Sequence, residues 1–460
     1  MVVKPKSFML IAGETSGDLL AAELVSALLA ASKQSDDGRT PQFFGGGGPK
    51  MAGVGVDLAF DLTQHSVIGI SDVLLNYFKF RRLFQQLLAL AIERQPDAII
   101  GVDYGGFNLR FGHAIKEYVR NNPFSKWNPK IIQFVSPQVW ASRPGRARLL
   151  EADYDLLLSI FPFEKAWYAK RAPQLHVEFV GHPMMGRFTN DDLRFTRREP
   201  EILSLTNQQP NILLLPGSRL SELKRHLPPM LDALQLIQDK MPSAKAKIVL
   251  PNPALQELAE KLSTPPPNVA IQIGNLPQAL AQADVAIAST GTVTMECAFF
   301  GVPTVTLYKT SWSTYQIGRF IVNVKWLTMP NILADDVIFP EFIQNDATPQ
   351  NLAEAALELL QNESRRQIIK SQLARIVSSL GGPGAPERAA TAILGLFQQQ
   401  DWCEKIPDFL LSLFAVRFNV SSWNHCTRRG ELNTFLRPSR RWMRACSRAS
   451  RNLAMTRPIT

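Results

Sequence analysis

Short apolar runs alternate along most of this chain with longer stretches whose apolar positions recur every three or four residues. That alternation of periods is the pattern of βαβ units and a parallel sheet. In the first half Phe8–Ala12, Ala98–Val102, Ile131–Val135, Asp155–Ile160 and Val177–Val180 read as strands. In the second half Ile212–Leu215, Ala246–Leu250, Val269–Ile273, Val285–Ala288 and Thr304–Leu307 read the same way. Between the halves Arg187–Pro210 is polar and charge-rich without strand pattern, and reads as a linker. No fixed-period repeat is visible, so the expected architecture is α/β: two Rossmann-like domains facing a central cleft. The expected boundaries are 1–186, a linker at 187–210, a second domain at 211–365, C-terminal helices at 366–400 broken at Gly381-Gly382-Pro383-Gly384, and a basic tail at 401–460 of unknown structure.

Composition changes this picture little. A chain of 460 residues exceeds the ~250–300 at which single cores stop growing, which agrees with two domains. With 45% apolar and 20% charged residues it is a globular protein, which excludes wholesale disorder. Four cysteines without a C-x-x-C pair give neither a disulfide framework nor a zinc site, and fit a reducing compartment. No apolar run is expected to reach the ~18 residues of a membrane span. Phe8–Ala12, after Lys4 and Lys6, is too short for a signal peptide, so the cytoplasm is the expected location. The net charge of +10 is concentrated at one end, because residues 401–460 hold eleven Lys/Arg against four Asp/Glu. The body is nearly neutral, and no nucleic-acid partner is expected for it.

In an open α/β sheet ligands sit beyond the carboxyl ends of the strands, so chemistry belongs in strand-to-helix loops. The first such loop is Ala12-Gly13-Glu14-Thr15-Ser16-Gly17-Asp18. Thr15 and Asp18 have the spacing of a capping box, whereas neither turn nor cap needs a carboxylate at Glu14. Asp103 ends the strand Ala98–Val102, where low dielectric raises a carboxyl pKa towards that of a general base; capping its own turn is the alternative. In the second half Leu215-Pro216-Gly217-Ser218-Arg219 offers helix-start N–H groups and a guanidinium to a phosphate. Ser289-Thr290-Gly291-Thr292 offers a second such turn, with Glu296 one turn on and suited to ribose hydroxyls. Two anion sites in one domain point to a nucleotide diphosphate. Asp153-Tyr154-Asp155 has the D-x-D spacing of a metal-binding glycosyltransferase but precedes its strand, at the wrong end of the sheet. No histidine pair supports zinc, so no metal is expected. Finally, Tyr77, Phe78, Phe80 and Phe84 interleave with Lys79, Arg81 and Arg82 on a helical pattern, either an interfacial segment or a core helix with a basic face.

Taken in order, Ala12–Asp18, Gly45–Met51, Gly101-Val102-Asp103 with Phe107-Asn108, Val135–Ala141, Phe161–Glu164, Gly181-His182-Pro183, Leu214–Arg219, Gly291–Glu296 and Pro330-Asn331 resemble the lipid-A-disaccharide synthases over about residues 7–398. The resemblance implies an inverting, metal-independent glycosyltransferase of the GT-B type without cofactor. Its substrates would be UDP-2,3-diacylglucosamine and 2,3-diacylglucosamine 1-phosphate, and its products the β-1,6-linked disaccharide 1-phosphate and UDP. It implies Asp103 as base, Glu14 across the cleft near the acceptor, and Ser218, Arg219, Thr290, Gly291, Thr292, Glu296 and Asn331 around UDP. With acylated substrates, Tyr77–Phe84 becomes a membrane-facing surface, and the enzyme is expected peripherally on the inner face of the cytoplasmic membrane. Members are commonly dimeric, which leaves a homodimer open. Thr290 stands where many relatives have Ser, and either hydroxyl can cap. The tail after Gln400 has no counterpart in the family, and is either a membrane-surface arm or an unselected extension.

Other classes fit the sequence less well. A nucleotide-dependent oxidoreductase or epimerase would need G-x-G-x-x-G, and the Gly13–Gly17 loop lacks the third glycine. Another UDP-sugar-dependent glycosyltransferase or epimerase of the same fold is the nearer alternative. A basic membrane- or nucleic-acid-binding protein would rest on the tail alone.

Overall fold

The computed structural model describes residues 6–33, 40–63, 77–188, 209–262, 266 and 268–397. The linker between 189 and 208, the tail, and the side chain of Tyr77 lie outside the described residues. Two all-parallel sheets organise the rest. The first holds β1 (Ser7–Ala12), β2 (Gln42–Gly47), β3 (Asp57–Asp61), β4 (Ala98–Val102), β5 (Lys130–Phe134), β6 (Leu156–Ser159) and β7 (Val177–Phe179) in the order 3-2-1-4-5-6-7. The second holds β8 (Asn211–Leu215), β9 (Lys245–Leu250), β10 (Val269–Ile273), β11 (Val285–Ser289), β12 (Thr304–Tyr308) and β13 (Glu341–Ile343) in the order 10-9-8-11-12-13.

The central strands are continuous apolar runs because helices cover both faces of each sheet. β1 and β4 are buried at every position. In the second domain the helix Leu220–Lys240 buries Leu223, Leu227, Met230, Leu234 and Ile237, spaced by three or four residues, and packs along Pro349–Gln361. The helix Thr15–Lys33 corrects an expectation: by length and composition it is apolar enough to cross a membrane. Leu20, Ala21, Leu24, Val25 and Leu28 are nevertheless buried within the first domain, so its apolarity is accounted for by packing.

The chain crosses between the domains and then returns. The N–H of His182 donates to the carbonyl of Leu380 (2.9 Å) and Nε of Arg388 to that of Val180 (2.7 Å). Beyond β12, the N–H of Asn323 donates to the carbonyl of Ala141, after β5 (2.7 Å). Ala141 lies in the short helix Val139–Ser142 that follows β5 and Asn323 just past the helix Trp312–Ile321 that follows β12, so the segments beyond the carboxyl ends of the two sheets meet here.

Candidate active site

Each sheet has one switch point, where the chain leaves adjacent strands in opposite directions: β1/β4 in the first and β8/β11 in the second. Ala12 pairs with Val102 there, and Leu215 with Ala288. All four loops singled out from the sequence leave from these two points, in the crevices where such folds bind ligands.

At the first crevice Gly13 and Tyr104 touch so closely that a Cβ on Gly13 would sit 2.4 Å from the Tyr104 ring. Asp103 and Tyr104 both have left-handed backbones, at φ 51° and 45°. The turn is held from below. The Asp103 N–H donates to the Phe134 carbonyl (2.9 Å), and the Asp103 carbonyl accepts Nδ2 of Asn108 (2.9 Å) and Nε2 of Gln133 (2.8 Å). Gly101 admits these two amides, since its Cβ would lie 2.6 Å from Oε1 of Gln133 and 2.8 Å from Cγ of Asn108. Burial, and after it the negative charge of Glu14, raises the Asp103 carboxyl above its ordinary range. Asp103 therefore has the environment of a proton acceptor.

Asp18 does something else. Its carboxylate accepts the N–H groups of Gly48 (2.9 Å), Lys50 (2.9 Å) and Met51 (3.0 Å), capping the helix Pro49–Gly53. The capping-box reading of Thr15–Asp18 is thus corrected, because this acid caps a different helix, across space.

At the second crevice Glu222 fills the mouth of the Pro216–Arg219 loop. It accepts the Ser218 N–H (3.1 Å) and Nη1 of Arg219 (3.2 Å), the two donors that a phosphate would require. Buried His226 braces the loop: Nδ1 meets the Pro216 carbonyl (3.1 Å), and Nε2 accepts the Lys309 N–H (3.0 Å). Burial lowers its pKa, so the neutral ring is the bracing form. Thr290, Gly291 and Thr292 lead into the helix Val293–Phe299, with the Thr290 N–H on the Leu307 carbonyl (3.1 Å). Burial pushes Glu296 up to about 7, with Arg187 opposing the shift.

Asn331 is fully buried. Its Oδ1 accepts the N–H groups of Ile338 (3.0 Å) and Phe339 (2.9 Å), and its Nδ2 donates to the Phe339 carbonyl (2.8 Å) and Glu341 (2.9 Å). With those bonds made, its amide shapes the 338–341 loop. Both acids of the D-x-D are engaged by bases, Asp153 with His113 and Arg120 and Asp155 with Lys116 and Lys130. Among the described residues no group of three or more His, Cys, Asp or Glu is placed to hold a metal.

The helix Tyr77–Arg94 exposes Phe78, Lys79, Arg81 and Arg82, while Phe80 and Phe84 are half-buried. Phe84 stacks edge-on to Phe107 (5.3 Å) and Phe107 lies on Tyr104 (5.4 Å), an aromatic path to the residue beside Asp103. Gln133, His226 and Glu222 were not singled out from sequence. Only Glu222 had a local signal, as a carboxylate three residues into a helix start.

Two Rossmann-like domains that face each other across paired switch points, one with a buried acid and the other with helix starts and an arginine, define a GT-B glycosyltransferase. A sequence profile of the lipid-A-disaccharide synthetase family matches residues 8–394. Lipid-A-disaccharide synthases of Myxococcus xanthus and Syntrophus aciditrophicus are 32% and 33% identical, over 86% of this chain and 98% and 99% of theirs. Among solved structures, the glycotransferase of kitacinnamycin gives a TM-score of 0.53 at 17% identity, covering 85% of this chain and 99% of that one. A UDP-GlcNAc 2-epimerase from Neisseria meningitidis, bound to UDP-GlcNAc, gives 0.52 at 12%, covering 85% and 100%. At such identities these structures speak for the fold alone. The chain belongs to the lipid-A-disaccharide synthase family, and is a glycosyltransferase of lipid A biosynthesis.

Proposed function

We propose that the enzyme joins UDP-2,3-diacylglucosamine to the 6-hydroxyl of 2,3-diacylglucosamine 1-phosphate, with Asp103 as the base. The observation that carries this reading is the buried acid at the β1/β4 switch point, together with the two helix starts and Arg219 that follow β8 and β11 at the switch point of the second sheet. Asp103 takes the hydroxyl proton as the oxygen attacks the anomeric carbon from the face opposite UDP, and the bond from that carbon to the diphosphate breaks. Negative charge then grows on the leaving phosphate, where Arg219 and the N–H groups of the 218–219 and 290–292 turns stabilise it. These donors supply the positive field that other glycosyltransferases take from a divalent ion. Glu296 holds the ribose and Glu14 faces the acceptor. The Tyr77–Phe84 surface rests on the inner face of the cytoplasmic membrane, which brings acylated substrates to the cleft.

The test is turnover of both substrates by the purified chain in excess EDTA, with UDP and the disaccharide 1-phosphate as expected products. UDP, and not NAD, should raise the melting temperature. A requirement for Mg²⁺ or Mn²⁺, or stabilisation by NAD alone, overturns the reading.

A further inference from the structure

The helix Trp312–Ile321 leaves the carboxyl end of β12 and carries its aromatic residues the wrong way round for a surface helix. Trp312 is 75% exposed and Phe320 87% exposed. They share a face with Gln316 and Arg319, at spacings of four, seven and eight residues, where an ordinary amphipathic helix is polar. Arg319 lies over the Tyr315 ring (5.9 Å), and just beyond the helix Lys325 lies over Trp326 (4.6 Å). No Asp or Glu occurs between Lys309 and Ala334. Outward aromatics and cations without acids suit the headgroup region of an anionic bilayer. The hydrogen bond from Asn323 to Ala141 sets the end of this segment at the rim where the two domains meet.

We propose that the Trp312–Phe320 face is a second footing on an anionic lipid surface, in the domain that holds the nucleotide. This rests on the reading above, in which Tyr77–Phe84 is the first footing. With one footing in each domain, the cleft opens over the bilayer that contains both acyl sugars. Charge selects the occupant: the cations match acidic lipid headgroups, including the acceptor's own phosphate, and the strongly exposed rings project outward to the depth of the headgroup boundary.

The test is the double variant Trp312→Ser/Phe320→Ser in the full chain, compared with the parent and with Phe78→Ser/Phe80→Ser/Phe84→Ser. Sedimentation with phosphatidylcholine–phosphatidylglycerol vesicles at ~0.5 M salt, where charge is screened, should fall at least about tenfold in the double variant. Turnover of water-soluble short-chain substrates should stay within about twofold, because no reacting group is touched. Unchanged vesicle binding overturns the proposal. So does an equal loss of short-chain turnover, which assigns the face to the acyl pocket, or a loss of dimer mass alone, which assigns it to a second copy. If only the triple variant is impaired, this footing fails and the first stands. If the parent does not sediment with vesicles, both fail.

Discussion

Asp103→Asn is the substitution that separates chemistry from structure at the first crevice. The Asp103 backbone lies at φ 51°, which Asn adopts readily, whereas Ala would add roughly 1 kcal/mol of strain. Its bonds to Phe134, Asn108 and Gln133 all run through the main chain, so they survive loss of the charge. The change thus removes the proposed base and little else. A general base contributes ~10²–10⁴ in rate, or about 3–5 kcal/mol of barrier, and kcat should fall within that span. UDP affinity, set in the other domain, should hold. Stability follows from the sign of the pKa shift. Burial raises the folded-state value, so the stabilising contribution is complete below the unfolded pKa and is lost as pH rises through the folded one. Above that folded pKa the parent carries a buried charge that the Asn variant lacks, so there the variant's melting temperature should be equal or higher. A companion Glu14→Gln should move the acidic limb of the parent's kcat/KM profile to lower pH, because it removes a charge that raises Asp103. Saturating turnover, UDP calorimetry and thermal melts read these out. Wild-type turnover in Asp103→Asn, or parallel loss of UDP affinity and melting temperature, would refute the assignment.

Three further outcomes are expected. Arg219→Ala should weaken UDP binding and slow transfer together, by about tenfold or more in kcat/KM, since a charge-assisted phosphate contact serves ground and transition states alike; an unchanged UDP dissociation constant counts against it. Glu222→Gln should tighten UDP several-fold, on the order of 1 kcal/mol, because the diphosphate no longer displaces a carboxylate from Ser218 and Arg219; weaker binding in calorimetry would show that Glu222 serves the bound state. Glu164, buried under Trp140 and raised to about 7, makes the parent's stability fall as pH rises from about 4.5 through 7, and Glu164→Gln should flatten that fall in pH-dependent melts.

How far the sequence discloses this molecule depends on whether a signal is local. The central strands were legible because burial on both faces leaves unbroken apolar runs. β3 and β13 were missed as short edge strands, and β2 because Gln42–Gly47 ends in three glycines. Those glycines are required by the packing: Gly45 has φ 146°, and a Cβ there would lie 2.0 Å from the Leu10 carbonyl oxygen. The switch-point loops were legible because glycine, acid and arginine follow strand ends. Contacts across space were not. Asp18 capping a helix thirty residues on, His226 bridging Pro216 to Lys309, and Asn331 committed to its own loop have no signature in spacing alone.

The return of the chain to the first domain at His182–Leu380 and Arg388–Val180 has a mechanical consequence. A single tether lets two bodies swing about any axis through it. Two crossings act as a pair of pins and leave chiefly rotation about the line that joins them. The Arg187–Glu23 pair lies at one of these crossings. Any closure of the cleft would then be chiefly a one-coordinate movement, bringing the proposed base of one domain towards the proposed nucleotide site of the other along a repeatable arc, with little orientational search left to the moment of reaction.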